Sequence, residues 1–225
     1  MPDRNNRRGD VLVKRSGRFR ETASNAESVN PFDKENQRHR KRATLLNEAL
    51  RMIHERGAAS ISLDDLASNL EISKGTVYYY FKSKDELLFE CYSISFDIWE
   101  KSLDTAQSVG KMGAEKIEIF LRAYLSEGLG TLHVVSYLRD QSALHGDYRD
   151  EAETRRQELR NRMRALIEEG NADGSLGGAD PSISATILGA SITWLLRAYQ
   201  PDGAQTKVEY IENAISVMLN GLRCR

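Results

Sequence analysis

The chain is short of the residues that staple a fold covalently or hold a metal. Its 225 residues include two cysteines, Cys91 and Cys224, far apart and with no cysteine or histidine two to five positions away. That spacing excludes a disulfide framework and a zinc site, and it fits a reducing, cytoplasmic compartment. Four prolines leave room for long helices. No apolar stretch follows Met1-Pro2-Asp3-Arg4, and the longest mostly apolar run, Ile187 to Leu196, is interrupted by Ser191 and Thr193. A membrane span needs about 20 apolar residues, so neither an export signal nor a span is expected. The four histidines, His39, His54, His133 and His145, are scattered, and no phosphate loop, nucleophile elbow or metal-spaced cluster accompanies them. Enzyme chemistry and a bound cofactor are therefore not expected.

Charge of both signs is abundant but unevenly spread. Residues 1–42 carry 12 Lys or Arg against 6 Asp or Glu, a net +6, whereas residues 43–225 carry 20 against 27, a net −7. A basic head on an acidic body suits a polyanionic partner, although solvated tails share the pattern. Residues 1–36 have no apolar period and read as a disordered basic arm. Arg15, Arg18 and Arg20 within it suit a minor groove or a passive solubilising tail.

From Arg38 the texture becomes helical throughout, which predicts an all-α fold. Ala43, Leu46, Ala49, Leu50 and Ile53 define a helix over 38–55, stopped by Gly57. Ser62 precedes Leu63-Asp64-Asp65-Leu66-Ala67, with acids in the first turn, and predicts a short helix. Ser73 caps a second one, Lys74 to Tyr80. Ser83 starts a long helix striped by Leu87, Cys91, Ile94, Ile98 and Leu103. Further helices are expected near 113–129, 132–144 and 148–169. Asp180-Pro181 opens an apolar helix to about Tyr199 and a last amphipathic helix spans 206–222.

Two short helices joined by a tight turn behind a longer supporting helix form a helix-turn-helix unit whose second short helix enters the major groove. Residues 37–83 fit that arrangement, and 84–225 form a second helical domain. The reading helix carries Lys74, Gly75, Thr76, Tyr78, Tyr79 and Tyr80. Lys74 and Lys84 suit phosphate neutralisation, Ser62 and Ser73 sit at helix N-termini where phosphates bind, and Gly75 permits close backbone approach. Tyrosine hydroxyls add phosphate bonds and their rings pack on sugars or thymine methyls. Some of this aromatic run should be core, with Tyr78 or Phe81 partly buried.

The segment from Ile61 to Leu88, above all Ser73-Lys-Gly-Thr-Val-Tyr-Tyr-Tyr-Phe81 followed by Lys84, resembles the DNA-binding segment of the tetracycline-repressor (TetR) family. The resemblance covers about residues 38–90, and a layout of about nine helices is consistent with it. It implies a transcriptional regulator, usually a repressor. Ser73, Lys74, Gly75, Thr76, Tyr78, Tyr79 and Tyr80 would touch double-stranded operator DNA, and Ser62 and Lys84 would anchor its backbone. Two departures stand out. Glu71 occupies the usual turn glycine, which could strain the turn, and Tyr80 occupies a frequent histidine position.

The resemblance also implies a homodimer through the last two helices and a ligand pocket in the body. Ile183, Ile187, Ala190, Ser191, Trp194 and Leu195, then Val208, Ile211, Ile215, Met218 and Leu222, suit the dimer face or an intramolecular core. Tyr92, Phe96, Trp99, Phe120, Tyr124, Tyr137 and Trp194 are the aromatics expected near a cavity for a hydrophobic or amphipathic effector. Leu188-Gly-Ala-x-x-x-Trp194 with Tyr199-x-Pro-x-Gly203 resembles members that control lipid or aromatic-acid breakdown, some of which answer to acyl-CoA thioesters. Arg139, Arg149, Arg155 and Arg156 suit CoA phosphates or a solvated, ion-paired face. A non-specific nucleic-acid or membrane-surface protein is the competing reading; steep salt dependence without sequence preference would mark it.

Overall fold

The computed structural model describes residues 31–130, 143–200 and 203–222. The basic arm as far as residue 30, most of the expected 132–144 helix, Tyr137 and Arg139 lie outside the described residues. Eight α-helices occur among those described: α1 Pro31–Arg56, α2 Leu63–Asn69, α3 Lys74–Tyr80, α4 Lys84–Val109, α5 Gly113–Gly128, α6 Gly146–Ala172, α7 Pro181–Ala198 and α8 Lys207–Asn220. No strand is present among them.

Among the described residues the predicted boundaries hold within a few residues except at the first helix, and the 132–144 helix is not tested. Its apolar period begins at Ala43, but α1 starts at Pro31, seven residues before the expected Arg38 and inside the stretch read as arm. Charged residues carry no periodic signal, and none of residues 34–44 is buried. Elsewhere the caps act as expected. Ser62, Ser73, Ser83 and Asp180 each accept a bond from a backbone N–H of the following first turn, and Pro181 stands at the start of α7.

In the head, Leu45, Leu50 and Ile53 of α1 pack with Leu63, Leu66, Val77 and Phe81 around α2 and α3, and Leu87, Leu88 and Cys91 of α4 complete that core. In the body, Phe96, Trp99 and Leu103 of α4 meet Ile117, Phe120 and Tyr124 of α5 and Leu159, Met163 and Ile167 of α6. Burial of aliphatic side chains at about 1.5–3 kcal/mol each is the main force holding both layers. Among the described residues one charged side chain is admitted: Lys116, 9% exposed, reaches Glu169 at 2.5 Å.

Helices α5 and α6 touch backbone to backbone. A Cβ added to Gly113 would lie 2.2 Å from the Gly170 nitrogen. The start of α5 has no cap of its own, and the turn after α6 supplies one: the Gly113 N–H donates to Asp173 Oδ2 at 2.7 Å and the Ala114 N–H to Ser175 Oγ at 3.0 Å. Bonds from the Ser175 hydroxyl and the Gly113 backbone hold the Asp173 carboxyl below the usual aspartate range. Gly113→Ala should therefore cost about 2 kcal/mol or more by forcing the helices apart, measured by urea denaturation, whereas Gly75→Ala, whose Cβ would meet nothing closer than Ser73 Oγ at 3.8 Å, should cost nothing.

Candidate nucleic-acid interface and adjoining cavity

Helix α3 is anchored from one side only. Val77 and Phe81 are fully buried beneath it, while Lys74, Gly75, Thr76, Tyr78 and Tyr79 all face solvent and Tyr80 is half-buried. Tyr78 is 47% and Tyr79 60% exposed, an unusual pair of bare aromatics for a helix of seven residues. Of the aromatic run it is Phe81, with Val77, that is core; Tyr78 stands outside.

The turn into α3 is built on Glu71. The Glu71 N–H donates to Ser68 O at 3.2 Å and the Ile72 N–H to Ala67 O at 3.0 Å, the paired bonds of a Schellman ending for α2. That ending requires a left-handed residue, and Glu71 has φ +54°. The strain expected where a glycine is usual is thus present. Glu71→Gly should raise stability by roughly 1 kcal/mol in equilibrium unfolding, because the side chain there opposes the backbone; an unchanged or lower stability would show the turn to be relaxed.

Polar groups around α3 already have partners. Ser62 and Asp65 form a capping box, with Ser62 Oγ donating to Asp65 Oδ2 at 2.6 Å and the Ser62 N–H at 2.9 Å, which keep the Asp65 carboxyl below its ordinary range. Ser73 Oγ and Thr76 Oγ1 share a bond at 2.8 Å. Lys74 Nζ lies 2.5 Å from Asp64 Oδ2, which raises the ammonium pKa. Lys84 Nζ donates to the Ala59 carbonyl at 2.7 Å, so it also braces α4 against the turn before α2. Exposed pairs of this kind are worth about 0–1 kcal/mol, so a phosphate can replace them at little cost. Sequence spacing names the two lysines but not their partners, which come from the fold.

The body holds a cavity of about 250 Å³ between α4, α6 and α7. Phe96 and Trp99 line it, with Leu159 and Met163 of α6 and the small side of α7 at Ala185, Gly189 and Ala190. The other aromatics expected there take different places. Phe120 and Tyr124 lie behind Trp99 in a ring cluster with centroids 4.8–5.7 Å apart, and Tyr92 is core. Trp194 corrects an expectation: it is 68% exposed, on the face of α7 turned from the cavity. Helical spacing groups aromatics by stripe, and Trp194 shares its stripe with exposed Ile183 and Ile187 rather than with Ala185 and Gly189. Arg160, Thr186 and Thr193 also line the cavity, and like Leu159, Met163 and Ala185 they were not marked by the sequence. Trp99 Nε1 and Arg156 Nε are buried donors without a hydrogen-bond partner among the described residues, although Arg156 Nη2 pairs with Glu153.

Of the remaining arginines considered for a ligand, Arg155 is tied to Asp97 at 2.8 Å and Glu100 at 3.1 Å and stacks over Phe96. It braces α6 against α4. Among the described residues no His, Cys, Asp and Glu group could hold a metal ion, and no helix is long and apolar enough to cross a membrane.

An all-α chain with a helix-turn-helix head and a hollow helical body has the build of a DNA-binding regulator, and comparison with known proteins agrees. Residues 45–91 match the bacterial regulatory proteins of the tetR family, and residues 110–222 match the tetracyclin repressor-like C-terminal domain. The chain belongs to the TetR family of bacterial regulatory proteins. It is 28% identical over 193 residues to the HTH-type transcriptional repressor KstR2 of Mycolicibacterium smegmatis, covering 81% of this chain and 90% of that protein. The fold is shared with the ketosteroid transcriptional regulator KstR2 of Mycobacterium tuberculosis (TM-score 0.73, 20% identity, 82% of this chain and 96% of that one). It is shared as well with AibR in complex with isovaleryl coenzyme A and operator DNA (TM-score 0.70, 19% identity, 79% and 97%).

Proposed function

We propose that this regulator represses transcription as a homodimer that reads a two-fold operator through α3 and releases it when an amphipathic small molecule fills the cavity. The observation that carries the DNA part is the one-sided burial of α3. A helix held by Val77 and Phe81, presenting Lys74, Thr76, Tyr78 and Tyr79 to solvent, has the shape and donors to enter a major groove. Ser62, Ser73 and Lys84 lie beside it for backbone contacts, and Gly75 keeps the helix start low.

Support for the dimer comes from bare apolar side chains on the last two helices. Ile183, Ile187 and Trp194 on α7 and Val208 and Val217 on α8 are all more than half exposed. Ile211 and Ile215 of α8 are instead buried within the chain, so α8 offers one face inward and another outward. An exposed set of this size is costly unless covered.

The effector reading rests on two buried donors that have no partner among the described residues. Trp99 Nε1 and Arg156 Nε can only donate, so a ligand that satisfies them brings an oxygen acceptor, while Phe96, Leu159 and Met163 receive an apolar body. A carboxylic acid or its CoA thioester has that character, and AibR was crystallised with isovaleryl coenzyme A.

The reading is tested by selecting genomic fragments with the purified protein and footprinting them. A short two-fold symmetric footprint is expected; diffuse protection of any duplex would contradict it. On the selected fragment, Tyr78→Ala should weaken binding at least tenfold with unfolding stability within about 0.5 kcal/mol of the parent, because an exposed ring leaves no core cavity. For the cavity, calorimetric titration of hydrophobic acids and their CoA esters should give heat and loss of operator binding. Trp99→Phe should weaken both, and a series giving neither would contradict the assignment.

A further inference from the structure

Helix α1 projects well beyond the core it serves. Its first buried residue among those described is Leu45, and the stretch 34–44, about 17 Å at 1.5 Å per residue, is exposed apart from half-buried Arg42. Isolated helices of that length are marginal in water, and a bare overhang is not explained by the packing of the head.

The overhang lies alongside the recognition helix. Lys34, Arg38 and Lys41, at i, i+4 and i+7, fall on one stripe, and that stripe faces Tyr79 and Tyr80 across an open groove of about 400 Å³. The Arg38 guanidinium sits 5.6 Å from the centre of the Tyr79 ring, which fixes the overhang against α3. None of the three cations forms an ion pair among the described residues. Their neighbour Arg42 does, reaching Glu90 at 2.9 Å and stacking 5.2 Å over Phe81, and so belongs to the scaffold. Glu35 also lines the groove, which leaves three cations against one carboxylate.

We propose that Lys34, Arg38 and Lys41, together with Tyr79 and Tyr80, form a second DNA contact that is blind to sequence: a cradle for the sugar-phosphate strand bordering the major groove that α3 enters. The inference rests on the reading of α3 as the recognition helix. A strand flanking that groove has to pass beside α3, and the groove offers what a phosphate strand requires, available cations over a shallow wall with tyrosine hydroxyls among them. Glu35 limits the cradle to anions held by more than one cation, which favours a repeating polyanion over a single free phosphate.

The test is the salt dependence of binding to the selected operator and to a scrambled duplex, for the full chain and for the variant Lys34→Gln/Arg38→Gln/Lys41→Gln. Each phosphate left without its cation lowers the slope of log K against log salt by about 0.9, so removing three cations from each protomer of a dimer should flatten it by about 5. Affinity should fall for both duplexes alike, leaving the operator preference intact. Arg40→Gln, exposed but outside the groove, should leave the slope unchanged and controls for general loss of charge. Amide exchange gives a second readout, with protection of residues 34–41 expected on adding duplex. A triple variant with the parent slope, or one that loses operator preference, overturns the cradle while α3 stands as the reader. A parent chain with no preference between the duplexes overturns the α3 reading and the cradle with it.

Discussion

The two halves of this chain are joined by α4, one unbroken helix of 26 residues that is buried in both cores. Near its start Leu87, Leu88 and Cys91 pack under Phe81 in the head; further on Phe96, Trp99 and Leu103 wall the body. Over about 39 Å of rigid helix there is no hinge residue and no break in burial. Trp99 and the residues under Phe81 thus sit on one continuous helix, the packing path that joins the cavity to α3.

Secondary ties reinforce the same rod. Arg155 clamps α6 to α4 beside the cavity, Arg162 pairs with Asp104 at 2.5 Å along the same seam, and at the other end the His145 N–H donates to Asp85 Oδ1 at 2.9 Å, joining the start of α6 to the first turn of α4. These contacts are exposed and individually weak, which suits a joint that shifts rather than one that locks. The apolar contacts set the shape, and the ion pairs set how easily it changes. Lys74 fits this economy, because its bond to Asp64 can be traded for a phosphate without exposing anything buried.

Much of this was legible in the sequence, because the head is specified by local chemistry. Ser62, Ser73 and Ser83 each mark a helix start that depends only on the next three residues, and the conflict between Glu71 and its turn is a property of one φ angle. Other features are products of tertiary placement. The overhang of α1 carries no periodic signal since none of residues 34–44 is buried. Trp194 and Trp99 look equivalent as isolated aromatics, yet one lies on the outer stripe of α7 and the other against the cavity. Arg156 becomes a candidate ligand donor only because packing strips its Nε of water, while Arg155 one position away is spent on α4.

If two copies hold their α3 helices at a spacing set by the α4 rods, that spacing is measurable as a distance. Spin labels at Lys82→Cys, with Cys224→Ser, report it by pulsed electron resonance on operator-bound protein; Cys91 is left in place because burial raises its thiol pKa and keeps it unreactive. One narrow inter-protomer distance is expected, close to one turn of the duplex, about 35 Å, or a whole multiple of it. A broad distribution, or no inter-protomer distance at all, would contradict it.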